Sequence, residues 1–510
     1  MSHILGLDVG TSLIKAAVYD EAGAALGEAE EKVAVLSPRA GWAEQNMEDV
    51  WRGAAKTIKS AILAAEADAE DIAAVGVAGQ GDGLWTLDKA GKVFTNATLW
   101  NDSRASSIIR DWETSGALAE IFPATGTVLW PGSAAALLAW TRANRAEDFG
   151  RIGTVFCCKD FINYRLTGAV ATDETDGSIP FMNLAARRYD PDVARILGLN
   201  VLDKLAPLRA SHEPVGEVSR EASEQTGLAA GTPVIAGMLD VVANAVGADV
   251  VSPGQSLTIL GTTAVSITVQ DHPEMTPANV GQSLCHSVGG YYFRVVGNMS
   301  GTPNLEWFLN ATGDRATRAS YDTLNAVART VPAGAGGVIF HPYLQGERAP
   351  FLDAEARAGF FGLSADTSKA ELARAVLEGV ALSIKDCSEV SGASLETVVL
   401  TGGGSKSDAL CQILASALNA TTLIPEGSQH GTFGAALLAG QSVGLFKSTS
   451  DLAAPALQSA KRFEPDERDA QIYAELYGLY KSLRESLQPF WHARSEMLET
   501  WKTTRGTRVA

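Results

Sequence analysis

The stretch Ile4–Ser12 constrains the fold more than any other part of the chain. An apolar run leads through Asp8 into Gly10, Thr11 and Ser12, and a second apolar run, 14–19, follows at once. This pattern predicts two strands joined by a tight turn. A glycine lets the backbone adopt a positive φ and approach a ligand, and the turn hydroxyls and N–H groups suit phosphate oxygens. A buried carboxylate at Asp8 needs a partner such as a metal ion. The alternative is an ordinary β-hairpin with a polar turn.

The same design occurs a second time near the middle of the chain. Residues 256–265 again form an apolar run, then Gly261, Thr262 and Thr263, then further apolar residues. A chain of 510 residues is too long for one compact core, so two domains are expected. The internal repeat places the boundary between two related halves near residue 250.

The charge and cysteine content exclude several classes of protein. A formal net charge of −18 argues against nucleic acid or an anionic membrane as the main partner. The five cysteines form no CxxC pair, and we expect reduced thiols in a cytoplasmic protein. We expect no signal peptide, and the sequence has no apolar run long enough to span a bilayer and no HExxH motif among its seven histidines.

A glycine-rich loop follows the apolar segment 72–78. It runs Gly79-Gln80-Gly81-Asp82-Gly83-Leu84-Trp85, so it brings backbone close to another group while Gln80 and Asp82 offer hydrogen bonds. An ordinary turn is the alternative. Further along, Trp100, Asp102 and Arg104 follow another apolar end, and an Asp/Arg pair at this spacing is typical of a structural salt bridge.

Two polar segments near residue 165 carry few chemical signals. Residues 159–168 resemble a helix that ends at a glycine cap, Gly168. Residues 172–178 form a polar, acidic stretch that we interpret as a loop.

Asp240 lies at a predicted strand–helix junction. The strand 233–238 precedes it, and the small-residue segment 241–248 continues as a helix. A helix N-terminus favours an ionised carboxylate, which is the state that a general base requires. A plain helix N-cap is the alternative.

A second glycine loop follows the predicted strand 398–401. The strand leads into Gly402, Gly403 and Gly404, then Ser405-Lys406-Ser407, and a helix follows. Strand, glycine loop and helix present free N–H groups and a positive dipole end to phosphate. The loop matches neither GxxxxGK[ST] nor GxGxxG. Near the carboxyl end, Ile472, Leu476, Tyr480, Leu483 and Leu487 share one helical face, which predicts a helix packed on the body.

Taken in order, these motifs resemble those of the FGGY family of carbohydrate kinases, within the sugar kinase/actin/Hsp70 superfamily. The resemblance extends from residue 4 to about residue 440 and rests on the motifs 8–11, 79–83, 99–104, 159–168, Asp240, 261–263, 346–350, 374–379, 402–405 and 434–436.

The resemblance implies an α/β protein with two ribonuclease-H-like domains of the actin-like ATPase type and a cleft between them. The expected segments are 1–249 for the sugar, 250–445 for ATP, and a helical segment 446–510. It implies ATP and Mg²⁺ as cofactors, Asp240 as catalytic base and Asp8 as the acid near Mg²⁺. The implied sugar contacts are Gln80, Asp82, Gly83, Trp100 and Asp240. The implied nucleotide contacts are Gly10, Thr11, Ser12, Lys15, Gly261, Thr262, Thr263, Gly403, Gly404 and Ser407.

The substrate implied by the resemblance is a small sugar phosphorylated on a primary hydroxyl. Segments 36–44, 80–84 and 304–308 look more like L-xylulose kinases than common bacterial xylulokinases, which carry Met-His-Gly where this chain has Gly81, Asp82 and Gly83. Erythritol or another short polyol is the alternative, since the Gln-Gly-Asp-Gly loop also resembles erythritol kinases. An actin- or Hsp70-like ATPase is the alternative from another class, although it would not need this loop. We expect a cytoplasmic enzyme, with a homodimer as one expected assembly.

Overall fold

The computed structural model describes residues 2–277, 280–392, 395–427 and 429–506, without the side chains of 502–506. The end of the predicted helical segment, 507–510, lies outside the described residues. Contacts divide the chain into two compact units. The first comprises Met1–Pro253, Val269–Arg294 and Gly427–Gln458, and the second comprises Gly254–Thr268, Val295–Glu426 and Ser459–Ala510.

Strands and helices alternate through the first half of the chain. The strands are β1 (His3–Val9), β2 (Leu13–Tyr19), β3 (Ala25–Lys32), β4 (Glu44–Gln45), β5 (Ile72–Gly79), β6 (Trp85–Asp88), β7 (Ala97–Thr98), β8 (Ile152–Phe156), β9 (Thr172–Asp173), β10 (Met182–Asn183), β11 (Arg188–Tyr189), β12 (Leu208–Arg209), β13 (Pro214–Glu217), β14 (Pro233–Ile235) and β15 (Met238–Leu239). The helices are α1 (Met47–Ala64), α2 (Ser106–Thr114), α3 (Ala117–Thr125), α4 (Ala134–Asn144), α5 (Ala146–Arg151), α6 (Cys158–Thr167), α7 (Glu174–Gly177), α8 (Pro191–Ile196), α9 (Arg220–Thr226) and α10 (Asp240–Gly247).

The second half continues the alternation. Its strands are β16 (Ser256–Leu260), β17 (Ala264–Gln270), β18 (Gln282–Cys285), β19 (Tyr292–Asn298), β20 (Ile339–His341), β21 (Gly359–Phe361), β22 (Thr397–Thr401), β23 (Thr421–Ile424) and β24 (Lys461–Phe463). Its helices are α11 (Pro303–Ala311), α12 (Arg318–Arg329), α13 (Lys369–Val390), α14 (Asp408–Leu418), α15 (His430–Ser442), α16 (Ser450–Gln458) and α17 (Glu467–Gly506). The α/β class expected from the sequence is confirmed.

The first unit is built on a mixed sheet in the order β13-β14-β5-β1-β2-β3, with β15 also paired to β5. The predicted opening hairpin is confirmed, because β1 and β2 are antiparallel with Asp8 opposite Lys15. Strand β5 lies parallel to β1, with Asp8 opposite Ala78 and Val9 opposite Gly79. Strand β15 is also parallel to β5, and its Leu239 lies opposite Gly79.

The second unit repeats this local design, as the internal repeat predicts. Strands β16 and β17 form an antiparallel hairpin, β22 lies parallel to β16, and β23 continues parallel to β22. The alternation of buried and exposed positions over 11–20 recurs position by position over 261–270. A glycine loop follows the parallel partner of each hairpin, 79–83 after β5 and 402–404 after β22. The two halves are therefore related in topology as well as in motif.

Helix α15 packs on the sheet of the first unit through glycines. A Cβ atom on Gly6 would lie 1.9 Å from the carbonyl oxygen of Thr432, and one on Gly76 would lie 2.0 Å from that of Ala435. Only glycine permits this approach, since such distances exclude any side chain. The compact units do not follow the chain order, since 427–458 belongs with the first unit. The division into the segments 1–249, 250–445 and 446–510 remains a prediction.

The carboxyl-terminal helix α17 packs within the second unit. Tyr473 and Tyr480 are fully buried, and the Tyr473 hydroxyl donates to Glu378 Oε1 at 2.8 Å. Leu476 and Leu487 of the predicted apolar face are partly buried against the core clusters. The predicted helix packed on the body is thus confirmed, with Tyr480 of the predicted face fully buried and Tyr473, outside that face, buried beside it.

Candidate active site

Three chemically distinct segments meet at one edge of the first sheet. Asp8 lies near the end of β1, Gln80 directly follows β5, and Asp240 directly follows β15. Because β1, β5 and β15 are parallel, their carboxyl ends lie at the same edge. The sheet thereby gathers three of the predicted site residues that are up to 232 positions apart in the sequence.

The Asp8 carboxylate has an acceptor without a partner. Its Oδ1 is buried and makes no hydrogen bond to any residue that the structure describes. Burial raises the pKa of Asp8 to about 6, and the positive charge of Lys15 on the neighbouring strand partly opposes this rise. A buried oxygen of this kind fits a hard cation, which prefers carboxylate ligands.

Asp240 is the first residue of α10. Its Oδ1 accepts a hydrogen bond from the Val241 N–H at 2.6 Å, while the N-cap position belongs to Leu239. Burial raises the pKa of Asp240 to about 8, and the negative charge of Asp8 adds to the rise. The helix N-cap alternative is therefore not what the structure shows, although the carboxylate does bind an N–H of the first turn.

Thr11, Gln80 and Trp100 form a closed hydrogen-bond network. The Thr11 hydroxyl donates to Gln80 Oε1 at 3.0 Å and accepts from Trp100 Nε1 at 3.0 Å. The Gln80 amide donates to Gln45 Oε1 at 2.9 Å, and Gln45 Nε2 donates to the Thr11 carbonyl at 2.7 Å. These polar atoms are thus engaged with one another, and the network fixes the hairpin turn against the 80–83 loop.

The turn itself differs from the sequence interpretation in one respect. Gly10 does not adopt a positive φ. Its N–H donates to the Leu13 carbonyl at 3.1 Å, and a Cβ there would lie 3.0 Å from that carbonyl oxygen. A side chain at residue 10 would therefore be crowded against the Leu13 carbonyl, and the expected left-handed backbone at Gly10 is not present. Ser12 is exposed beside it.

The 80–83 loop has a left-handed backbone at two successive residues. Asp82 has φ 57° and Gly83 has φ 74°, and a Cβ on Gly83 would lie 2.5 Å from the Thr98 carbonyl oxygen. Asp82 Oδ1 accepts a hydrogen bond from the Ala134 N–H at the start of α4, at 3.0 Å. Burial raises the pKa of Asp82 to about 8, and the charge of Asp176 adds to it.

The predicted salt bridge at 102–104 is confirmed and has a third member. Arg104 Nη2 lies 2.8 Å from Asp102 Oδ2 and 2.8 Å from Glu44 Oε1. The Asp102 carboxylate also accepts the Ala43 N–H at 2.6 Å. Arg104 therefore forms ion pairs with Asp102 and Glu44 and not with Asp82.

The sequence analysis missed a buried ionic cluster beside the 80–83 loop. Lys159, at the start of α6, lies with its Nζ 2.5 Å from Asp160 Oδ1, 3.0 Å from Asp173 Oδ1 and 3.0 Å from Asp176 Oδ2. The predicted helix ending at Gly168 is confirmed, whereas the expected loop at 172–178 contains the short helix α7. The acidic residues of 172–178 were a visible signal in the sequence, but no neighbouring residue indicated that Lys159 is their shared cation.

This cluster also has the composition of a metal site. Ligand atoms of Cys157, Asp160 and Asp176 lie within 4.8 Å of one another. The ammonium group of Lys159 already contacts two of these carboxylates. A buried lysine supplies the positive charge there, so the arrangement fits an ion-pair network better than a metal centre.

The second unit carries the remaining predicted nucleotide residues. Gly261, Thr262 and Thr263 form the turn between β16 and β17, and the Gly261 carbonyl accepts the Thr302 N–H at 2.9 Å. A Cβ on Gly402 would lie 2.6 Å from the Leu260 carbonyl oxygen, whereas one on Gly403 would face open space. The Gly403 backbone is thus open to a ligand.

Ser407 has a structural role that the sequence analysis did not give it. Its Oγ accepts the Leu410 N–H at 3.2 Å as the N-cap of α14, and it donates to Asn325 Oδ1 at 2.5 Å. The hydroxyl is therefore engaged within the protein, and any role in nucleotide binding remains a prediction.

Comparison with known proteins defines the class to which this fold and site belong, that of sugar kinases. Residues 3–247 match the family model "FGGY family of carbohydrate kinases, N-terminal domain", and residues 257–443 match the corresponding C-terminal domain. The chain belongs to the FGGY family of carbohydrate kinases. Among the described residues, no helix is both long and apolar enough to cross a bilayer.

Relatives and solved structures cover almost the whole chain. The L-xylulose/3-keto-L-gulonate kinase of Escherichia coli is 31% identical, over 96% of this chain and 98% of its own length. The erythritol kinase of Brucella abortus is 30% identical, over 96% of this chain and 97% of its own. The structure of a gluconate kinase from Lactobacillus acidophilus superposes with a TM-score of 0.89 at 27% identity, covering 95% of this chain and 98% of that one.

Proposed function

We propose that this sugar kinase transfers a phosphoryl group from ATP, with Mg²⁺, to a primary hydroxyl of a small sugar, with a pentulose of the L-xylulose type as first choice. The observation that carries the proposal is the placement of Asp8, the 80–83 loop and Asp240 at one edge of the first sheet. The alternative substrate is erythritol or another short polyol.

Asp240 is proposed as the general base. Its Oδ1 accepts the Val241 N–H at the start of a helix, and no residue that the structure describes donates a hydrogen bond to its Oδ2, which can accept the substrate proton. Its raised pKa of about 8 brings its proton affinity close to the working range of a general base. In this role Asp240 accepts the hydroxyl proton as the oxygen attacks.

Asp8 is proposed as the metal ligand. Its unpartnered Oδ1 fits the hard, oxygen-preferring Mg²⁺ ion. When bound, Mg²⁺ with ATP supplies the phosphoryl group and charge neutralisation. Lys15, opposite Asp8 on β2, adds positive charge at the same place.

The sugar contacts are proposed at Gln80, Asp82, Gly83 and Trp100. Their arrangement supports this proposal because the network through Thr11 holds Gln80 and Trp100 together, and Leu239, which precedes Asp240, lies opposite Gly79, which precedes Gln80. Side chains fixed in this way favour the orientation of a substrate. The proposed phosphate contacts are Gly10, Thr11, Ser12 and Lys15 in the first unit. Those in the second unit are Gly261, Thr262, Thr263, Gly403, Gly404 and Ser407.

The choice of substrate rests on the names of relatives. Three proteins named as L-xylulose kinases or probable L-xylulose kinases are 30% or 31% identical, and an erythritol kinase is 30% identical. Because these identities are nearly equal, L-xylulose and erythritol are both retained as candidate substrates. Membership of a sugar kinase family leaves no support for the actin- or Hsp70-like ATPase alternative.

A coupled assay of ADP release tests the proposal. The purified protein is given ATP and Mg²⁺ with pentuloses, tetritols, pentitols and glycerol in turn. The highest kcat/KM on L-xylulose supports the first choice, and the highest on erythritol supports the alternative. No ADP release with any of these acceptors would contradict the proposed substrate class.

A cytoplasmic location and a homodimer also remain part of the proposal. Light scattering coupled to size-exclusion chromatography would distinguish a mass near 53.5 kDa for the monomer from twice that value.

A further inference from the structure

Besides Asp8, two aspartates in the described part of the first unit have a buried carboxylate oxygen without a hydrogen-bond partner. Asp82 Oδ2 and Asp176 Oδ1 make no hydrogen bond to any group in the described part of the chain. Both residues are more than nine-tenths buried, with 6% of Asp82 and 4% of Asp176 exposed. Buried polar atoms are nearly always paired, so an orphaned acceptor indicates a donor that arrives from elsewhere.

The Asp176 oxygen lies against the loop that carries Asp82. A Cβ atom on Gly81 would come 3.1 Å from Asp176 Oδ1 and 2.1 Å from Leu239 Cδ1. The charge of Asp176 also contributes to the raised pKa of both Asp82 and Asp240. Asp176 therefore belongs to the surroundings of the candidate active site, although it is remote from it in sequence.

Asp176 differs from the other two carboxylates bound to Lys159. Asp173 accepts the Ser211 hydroxyl at 2.6 Å and the Thr175 N–H at 2.9 Å in addition to its ion pair. Asp160 accepts the Cys157 N–H at 2.9 Å. Among the described residues, the Asp176 carboxylate has only the Lys159 ammonium, 3.0 Å from Oδ2, and so it is the member of the trio with spare acceptor capacity.

The backbone around Asp176 is tied to the strand that leads into Asp240. The Leu239 N–H donates to Thr175 Oγ1 at 2.8 Å, and Thr175 Oγ1 donates to Asp173 Oδ1 at 3.0 Å. Thus Lys159 holds the Asp176 side chain, and Thr175 fixes its helix beside the residue before Asp240. A carboxylate anchored in this way is suited to orient a ligand.

We propose that Asp176 is a second carboxylate of the substrate site, and that its Oδ1 and the Asp82 Oδ2 accept hydrogen bonds from two hydroxyl groups of the substrate. This inference rests on the proposed function. It identifies the substrate as a compound with at least two free hydroxyls besides the one that is phosphorylated. A ligand that lacks one of them leaves a buried carboxylate unpaired, and sites of this kind reject such analogues strongly.

The test compares Asp176→Asn with the wild-type enzyme on the preferred substrate and on deoxy analogues that each lack one hydroxyl. We expect the KM for the preferred substrate to rise about 10- to 100-fold, which is the range for losing a charge-assisted hydrogen bond. The KM for ATP should stay within about twofold. The variant should also lose most of the wild-type discrimination against one deoxy analogue, which a purely structural role would not change.

Asp173→Asn is the matched control, because Asp173 contacts the same lysine but has its oxygens paired. We expect it to lower the melting temperature while the ranking of substrates is preserved. If Asp176→Asn does not fold, Asp176→Glu keeps the charge and displaces the oxygen, and it should raise the same KM. Unchanged KM and unchanged discrimination in the folded variant would show that Asp176 is only a counter-ion of Lys159. Absence of kinase activity in the wild-type protein would instead overturn the proposed function.

Discussion

The Asp8 carboxylate lies directly against Gly431 of helix α15. A Cβ atom at Gly431 would come 2.5 Å from Asp8 Oδ2 and 3.4 Å from Asn244 Nδ2. Residue 431 must therefore lack a side chain if Asp8 is to keep its position. The contact joins the first strand of the chain to a helix more than 400 residues later.

Gly431→Ala should displace the Asp8 carboxylate and lower activity. Misplacement of a reacting group by about 1 Å can reduce a rate by about a hundredfold. We expect kcat/KM to fall by about 10- to 100-fold and the Mg²⁺ concentration for half-maximal rate to rise. Gly478→Ala, in α17 with nothing within 4 Å of its Cβ, is the control and should leave both values unchanged. Normal Mg²⁺ dependence in Gly431→Ala would argue against Asp8 as the metal ligand.

Asp240→Asn should remove catalysis and at the same time stabilise the fold at high pH. The pKa of Asp240 is about 8 in the folded protein against an ordinary 3.8, so the folded state binds this proton more tightly than the unfolded state. Ionising Asp240 therefore costs stability increasingly from about pH 4 up to pH 8. Asp240→Asn has no carboxyl group to ionise and so does not lose stability in this way. The melting temperature of the variant minus that of the wild type should therefore be larger at pH 9 than at pH 5.

In the same variant, kcat should fall by about 10²–10⁴, the usual contribution of a general base. The wild-type kcat/KM should rise with pH towards about 8 as Asp240 loses its proton. A pH–rate profile for both proteins and their melting curves provide the measurements. Near-normal kcat in Asp240→Asn would show that another group accepts the proton.

Asp82→Ala and Asp82→Asn should separate the two roles of Asp82. Alanine removes both the carboxyl group and the acceptor for the Ala134 N–H, so it should raise the sugar KM by one to two powers of ten and also lower the melting temperature. Asparagine keeps an acceptor for Ala134, so it should raise the KM with little loss of stability. A large drop in melting temperature with substrate ranking preserved in both variants would make Asp82 a structural residue.

Arg104→Ala should destabilise the first unit without changing the substrate ranking. It leaves the buried Asp102 and the nearby Glu44 without their cation, and breaking such a pair costs about 3–5 kcal/mol. The exposed pair Arg52–Asp49 provides the control, since Arg52→Ala should cost no more than about 1 kcal/mol. Urea unfolding measures both, and equal losses would contradict a structural role for Arg104.

The sequence by itself determined the elements whose signals are local. The hairpins around Gly10 and Gly261, the glycine loops after β5 and β22 and the cap at Gly168 were all predicted, because turns, caps and strand alternation depend on residues within a few positions. The predicted internal repeat is also present in the structure, because β1–β2 and β16–β17 are both antiparallel hairpins.

Only the tertiary structure decided how distant residues pair. Lys159 with Asp173 and Asp176, Arg104 with Glu44, and Gly431 against Asp8 are contacts between separate elements that no local pattern encodes. The same holds for Thr11 and Ser407, which the resemblance implied as nucleotide contacts and whose hydroxyls are hydrogen-bonded within the protein. The physical reason is that burial, and with it the pKa of each carboxylate and the supply of partners, is set by which surfaces pack together.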